Sequence, residues 1–123
     1  MGGQSGAVLE VHGDLAGWYA VVHITGEFGQ VGDPHARLRQ VMADLPMPEP
    51  PYLVLDLAGV VSWDGSGLGA MLSSVKDVRE SGGCVAVARA PSDLVAHCRR
   101  VGLNRVFECH ATVESAVTAL RPT

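Results

Sequence analysis

A serine between two glycines, directly after an aspartate, is the feature of this sequence whose residue types could carry chemistry. Asp64, Gly65, Ser66 and Gly67 stand between an apolar, strand-like run and a helical pattern. A hydroxyl in such a turn could help to cradle a phosphate, act as a nucleophile, or accept a phosphoryl group. It could also belong to a plain strand-to-helix turn in which Asp64 caps the helix.

Dinucleotide binding is the first alternative, because residues 65–70 (GSGLGA) match the pattern G-x-G-x-x-A. That fingerprint requires its glycines directly after the strand and a carboxylate about 20 residues further on, which binds the ribose. Here the apolar run continues through Val60 and Val61 before the turn, and Val85 and Val87 occupy the later positions. We therefore expect no nucleotide or other cofactor.

Catalysis by a serine nucleophile is the second alternative. The elbow pattern G-x-S-x-G requires glycine at positions 64 and 68, where the chain has Asp64 and Leu68. None of the histidines has a spacing that marks a general base. Cys98, Cys109 and His110 also lack the ligand spacing of a closed zinc site. The spacing therefore supports neither a catalytic triad nor a metal site.

A phosphorylation switch is the third alternative. With Asp64 as the cap, Ser66 falls in the first turn of the helix, where unpaired N–H groups and the positive end of the helix dipole lie. A phosphate adds about −1.5 to −2 charges at neutral pH, which a helix N-terminus tolerates. The charge of the surrounding surface would change sign while the fold survived. A reversible switch needs that combination.

Composition limits the class of protein. The chain has 123 residues, of which 47% are hydrophobic and 18% charged, and this favours one globular domain. The net charge of −4 disfavours a nucleic-acid partner, which would require a basic surface. The three cysteines form no CxxC pair, which favours a reducing compartment. No apolar run reaches membrane-spanning length and no signal peptide is recognisable, so we expect a cytoplasmic protein without a membrane partner.

The pattern of strands and helices predicts the elements that position this turn. The order is β-β-α-β-α-β-α-β-α, which favours a mixed, mostly parallel sheet of four or five strands with about four helices packed on it. Gly13–Gly17 is predicted to join the first two strands, and Gly26 to end the second. The predicted strands are Ala7–His12, Trp18–Thr25, Tyr52–Leu57, Cys84–Ala88 and Arg105–Glu108. The predicted helix caps are Asp33, Asp64, Ser92 and Thr112.

The segment Val54–Leu72 (VLDLAGVVSWDGSGLGAML) resembles the STAS domain of bacterial anti-sigma factor antagonists. In that family an apolar strand ending in Asp-Leu leads to Asp-Ser-Ser-Gly-Leu-Gly and an amphipathic helix. The segments VVHITGEF, VRESGGCVAVA and CRRVGLNRVFECHATVESAVTAL also resemble the family, in the same order. The resemblance implies an α/β STAS fold over residues 7–121. We expect residues 1–6 to be a flexible N-terminus.

The resemblance also implies a function. Such a protein is a regulator without catalysis of its own, and a monomer or weak dimer is expected. Unphosphorylated, it binds an anti-sigma factor serine kinase and so frees a sigma factor for transcription. The kinase phosphorylates it, and a PP2C-type phosphatase resets the switch. By position in the motif, Ser66 is the phosphorylation site. The predicted partner-binding residues are Glu27, Trp63, Asp64, Gly65, Gly67 and Leu68.

Two positions depart from the family motif. Gly65 stands where the family has the first serine of its pair, and Phe28 and Gly29 follow Glu27 where an aspartate is usual. Asp33 is a candidate to stand in for that aspartate. An alternative function within the same fold is a STAS interaction subunit of a larger complex, such as a lipid transporter, that is never phosphorylated.

Overall fold

The computed structural model describes residues 8–121, so the predicted N-terminal segment 1–6 lies outside the described residues. The strands are β1 (Glu10–Ala16), β2 (Tyr19–Phe28), β3 (Tyr52–Trp63), β4 (Cys84–Ala88) and β5 (Cys109–His110). The helices are α1 (Pro34–Asp44), α2 (Gly65–Glu80), α3 (Ser92–Arg100) and α4 (Val113–Leu120). Short 3₁₀ turns occur at Gln30–Gly32 and Leu103–Arg105.

The strands form one sheet in the order β1-β2-β3-β4-β5. β1 pairs antiparallel with β2, and the remaining neighbours pair in parallel. This arrangement confirms the predicted mixed, mostly parallel α/β fold. Each connection between parallel strands contains a helix, because the chain must cross back to the end of the sheet at which the previous strand began.

The core consists of two layers, one on each face of the sheet. On one face Leu53, Leu55 and Leu57 of β3 belong to a cluster that also includes buried residues of α1, α2 and α3. On the other face Val54 packs in a smaller cluster with Ala116 and Leu120 of α4. Both faces of the first half of β3 are therefore covered, which explains its nearly continuous apolar run.

The predicted connection of the first hairpin was wrong. β1 continues through Gly13 to Ala16, and the turn is formed by Gly17 and Trp18. Gly17 adopts a φ of +77°, which suits a two-residue hairpin turn. Gly13 instead leaves room for Leu45, the residue that follows α1, because a Cβ atom at position 13 would lie 2.6 Å from Cδ1 of Leu45. A glycine that makes space for packing resembles a turn signal in the sequence.

Two strands extend further than predicted, and their extensions carry the candidate site. β2 does not end at Gly26 but continues to Phe28, and β3 continues from Leu57 to Trp63. Gly26 has a φ of +93° and lies at a shift in the register between β2 and β3. It therefore marks a local irregularity within the strand rather than its end.

The last strand and one helix cap also differ from the prediction. β5 is Cys109–His110, whereas the predicted segment Arg105–Glu108 begins in a 3₁₀ turn. Ser92 is not the cap of α3, because Pro91 holds that position without a side-chain hydrogen bond. Thr112 does cap α4, as predicted, and its hydroxyl accepts the N–H of Ser115 at 3.0 Å.

Candidate functional site

The serine turn lies at the end of a two-stranded extension of the sheet. β4 pairs with β3 from Tyr52 to Asp56, whereas β2 stays paired with β3 up to the pair Phe28–Trp63. α2 begins two residues after Trp63. The extension therefore brings the end of β2 next to the start of α2.

Asp64 caps α2 and also binds the chain that leaves β2. Its Oδ1 atom accepts the backbone N–H of Ser66 at 2.8 Å and that of Gly67 at 3.3 Å. Its Oδ2 atom accepts the N–H of Gln30 at 3.0 Å. Gly29 makes this approach possible, since a Cβ atom there would lie 2.6 Å from the same Oδ2 atom. The cap was predicted from the sequence. The bond to Gln30 was not, because Gln30 comes close to Asp64 only when β2 pairs with β3.

These hydrogen bonds hold the pKa of the Asp64 carboxyl below its ordinary value of 3.8. The N–H of Gln30 contributes most, and the N–H groups of Gly67 and Ser66 add to it. The carboxylate is consequently anionic at neutral pH. It places a fixed negative charge at the helix N-terminus, where the helix dipole favours one.

Ser66 occupies the first turn of α2, as predicted, and is partly exposed. Its backbone N–H is held by Asp64. Within residues 8–121 the Ser66 hydroxyl has no hydrogen-bond partner. In the described part of the chain the hydroxyl therefore maintains no hydrogen bond of the fold.

The two flanking glycines have different surroundings. Gly67 is buried, and a Cβ atom there would overlap the carbonyl oxygen of Phe28. Gly65 is exposed, and apart from its chain neighbours and the backbone of its own helix, a Cβ atom there would meet no heavy atom of the described residues within 4 Å. Gly67 thus permits the close contact between α2 and β2, whereas the position of Gly65 has room for a side chain such as the serine of the family motif.

The apolar residues of the turn are partly buried in this chain. The ring of Trp63 is tilted by 53° against His97 of α3, with the ring centroids 5.4 Å apart. Trp63 and Leu68 both pack against the larger core cluster. Each offers only part of its side chain to a partner. The contact with His97 comes from a distant helix, and no sequence signal indicated it.

Glu27 and Asp33 are the other two carboxylates that the sequence placed in or near the site. Glu27 pairs in register with Ser62 and lines a groove with Val8, Val31 and Arg37. Asp33 caps α1 by accepting the N–H of Ala36 at 3.5 Å. In the described range neither carboxylate hydrogen-bonds to Ser66 or forms an ion pair next to it. The register of β2 and β3 nevertheless places Glu27 beside Ser62, one position before Phe28 pairs with Trp63, so Glu27 lies on the strand next to the one that leads into the turn.

None of the helices in residues 8–121 combines the length and the apolar character needed to cross a bilayer.

Comparisons with known proteins agree with this architecture. The family model of the STAS domain matches residues 8–116. Among solved structures, one described as an anti-sigma factor antagonist from Mycobacterium paratuberculosis superposes with a TM-score of 0.76. It is 24% identical in sequence, and the match covers 93% of this chain and 95% of that chain. No curated protein matched the sequence. The structural likeness shows a shared fold.

Proposed function

The chain belongs to the STAS domain family, and we propose that it is an anti-sigma factor antagonist switched off by phosphorylation of Ser66. In this proposal the unphosphorylated chain binds an anti-sigma factor serine kinase in the cytoplasm and releases a sigma factor. Phosphorylation ends the binding, and a PP2C-type phosphatase restores it. The chain itself catalyses no reaction. The fold shared with a protein described as such an antagonist supports this role.

The observation that carries the proposal is the state of Ser66. Ser66 is partly exposed, its hydroxyl lacks a hydrogen-bond partner in residues 8–121, and its backbone N–H donates to Asp64. A kinase can therefore modify the oxygen without breaking a bond that maintains the described fold. A hydroxyl used in helix capping would not meet that condition.

The charge at the turn explains how a phosphate would act as a switch. The N–H groups of Ser66 and Gly67 already donate to Asp64, so a phosphate on Ser66 would not take over the cap. It would add about −1.5 to −2 charges beside an existing carboxylate. The surface around Trp63, Gly65 and Leu68 would become strongly acidic, and this would weaken the binding of a partner that contacts it with apolar or acidic groups.

A phosphorylation assay tests the assignment of the acceptor. We expect an anti-sigma factor kinase with ATP to raise the intact mass of the chain by one phosphoryl group. Ser66→Ala should abolish this shift. Ser62→Ala is the matched control, because Ser62 is exposed only four positions earlier and its loss should leave the shift unchanged. Phosphorylation of the Ser66→Ala chain would contradict the assignment.

A capture experiment tests the partner. Ser66→Ala and Ser66→Asp chains are used as baits in a native cytoplasmic extract, and bound proteins are identified by mass spectrometry. We expect the kinase on the alanine bait and its loss on the aspartate bait. Equal capture of one complex by both baits, with no phosphopeptide from cells, would instead favour the non-phosphorylated STAS subunit. The motif departures at Gly65 and after Glu27 make that outcome worth testing.

A further inference from the structure

A row of polar side chains crosses the sheet away from the serine turn. His12 of β1 pairs in register with His23 of β2, and His23 pairs with Asp56 of β3. His23 and Asp56 follow Val21 and Val54 by two residues, so all four point to the face that α4 covers. Beyond the apolar cluster, this face continues as a polar patch.

Three side chains in this patch converge on one point. The Oδ2 atom of Asp14 lies 3.4 Å from Nε2 of His12 and 3.4 Å from Nε2 of His23. One ligand atom from each of the three residues lies within 4.8 Å of the others. A tetrahedral cation with bonds of about 2.0–2.1 Å holds its ligand atoms about 3.3–3.4 Å apart. The two carboxylate–imidazole distances therefore equal the spacing of ligands around such a cation.

The orientation of His23 is fixed from its other side. Its Nδ1 atom lies 2.8 Å from Oδ2 of Asp56, a carboxylate that is only 3% exposed. Arg89 donates to both oxygens of Asp56, at 3.0 and 2.6 Å. A carboxylate that accepts the Nδ1–H group selects the tautomer in which Nε2 carries a lone pair. Many metal-bound histidines are held in this way by a carboxylate on their other ring nitrogen. That lone pair faces Asp14.

We infer that His12, Asp14 and His23 form a binding site for a divalent first-row transition cation such as Zn²⁺. Two neutral imidazoles and one carboxylate are a ligand set that suits this class of cation, and water completes the coordination. Asp56 is a positioning residue that holds the His23 ring. The side chains of His12 and Asp14 are 64% and 59% exposed, so a cation can enter from solvent.

The cation would link the edge strand to the rest of the sheet. His12 and Asp14 belong to β1, which has one neighbouring strand, whereas His23 belongs to β2. A ligand that binds the folded chain and not the unfolded chain raises stability by mass action. The site does not include Ser66, so its test is independent of the test of the proposed switch.

The test uses the full chain without a histidine tag, titrated with Zn²⁺ by calorimetry. We expect saturable binding of one cation per chain. His12→Ala and Asp14→Asn, both at exposed positions, should each weaken it by at least about tenfold. The matched control is His35→Ala, an exposed histidine of α1 outside the cluster, which should keep the wild-type affinity.

Two further readouts locate the cation. In ¹⁵N spectra of the histidine rings, Zn²⁺ should shift the Nε2 signals of His12 and His23 and leave His35 unchanged. If circular dichroism shows that Asp56→Asn is folded, this variant should bind Zn²⁺ about 10–100-fold more weakly. If it unfolds, the affinities of His12→Ala and Asp14→Asn test the inference. Absence of saturable binding, or binding that survives His12→Ala unchanged, would overturn the inference.

Discussion

The Oδ1 atom of Asp64 lies 2.8 Å from the backbone nitrogen of Ser66, and this bond fixes the start of the helix that carries the candidate phosphoacceptor. The other carboxylate oxygen binds Gln30, at 3.0 Å. One side chain therefore joins the end of β2 to the start of α2. Because the Ser66 hydroxyl takes no part in this arrangement, the backbone of the turn and the chemistry at Ser66 are separable.

The Asp64 cap makes the stability of the folded chain depend on pH. The folded-state pKa of Asp64 is lowered below 3.8, so its contribution to stability is fully present above the unfolded value. It is lost as the pH falls through the lower folded value. The difference in unfolding free energy between the wild type and Asp64→Ala should therefore shrink as the pH is reduced from about 6 to 3, as measured by urea denaturation.

Asp64→Asn is the control for that experiment. Asparagine keeps an oxygen that accepts N–H groups but does not titrate in this range. The difference between Asp64→Asn and Asp64→Ala should stay constant with pH. A wild-type advantage over Asp64→Ala that is equally large at all these pH values would contradict the role of the Asp64 carboxylate.

Alanine substitutions should separate the two glycines of the turn. Gly65→Ala should stabilise the chain by about 0.4–1 kcal/mol, because the site is open and the unfolded chain loses freedom. Gly67→Ala should destabilise it by about 1–3 kcal/mol, because the new Cβ overlaps the Phe28 carbonyl. Thermal denaturation measures both, and each variant serves as the control for the other. Equal effects of the two substitutions would show that the described packing of Phe28 against α2 is wrong.

The cysteine in β5 should react slowly. Burial raises the pKa of the Cys109 thiol to about 11, with a smaller contribution from Cys98. At pH 8 only a small fraction of this thiol is then ionised, and only the thiolate is nucleophilic. Iodoacetamide should label Cys109 in the native chain far more slowly than in urea, as followed by peptide mass spectrometry. Equal rates in the two conditions would contradict the partial burial of Cys109.

Local signals were sufficient for much of the fold and for the serine turn. An aspartate before Gly-Ser-Gly and an apolar helical stripe predict α2 and its cap, since capping involves residues within one turn of the chain. The predicted order of strands and helices and the mixed sheet were also confirmed, because each element has its own local pattern of apolar residues. The position of Ser66 in the first turn followed directly, and its phosphorylation stays a prediction.

Contacts between distant segments determined the rest. Gly13 resembles a turn residue until Leu45 packs against it, and the extent of β3 follows from its pairing with β2. The convergence of His12 and His23 arises from the register of the hairpin, and strand pairing adds Asp56. Spacing along the chain predicted no metal site, because hydrogen bonds between strands bring together ligands whose separation in sequence carries no periodic signal.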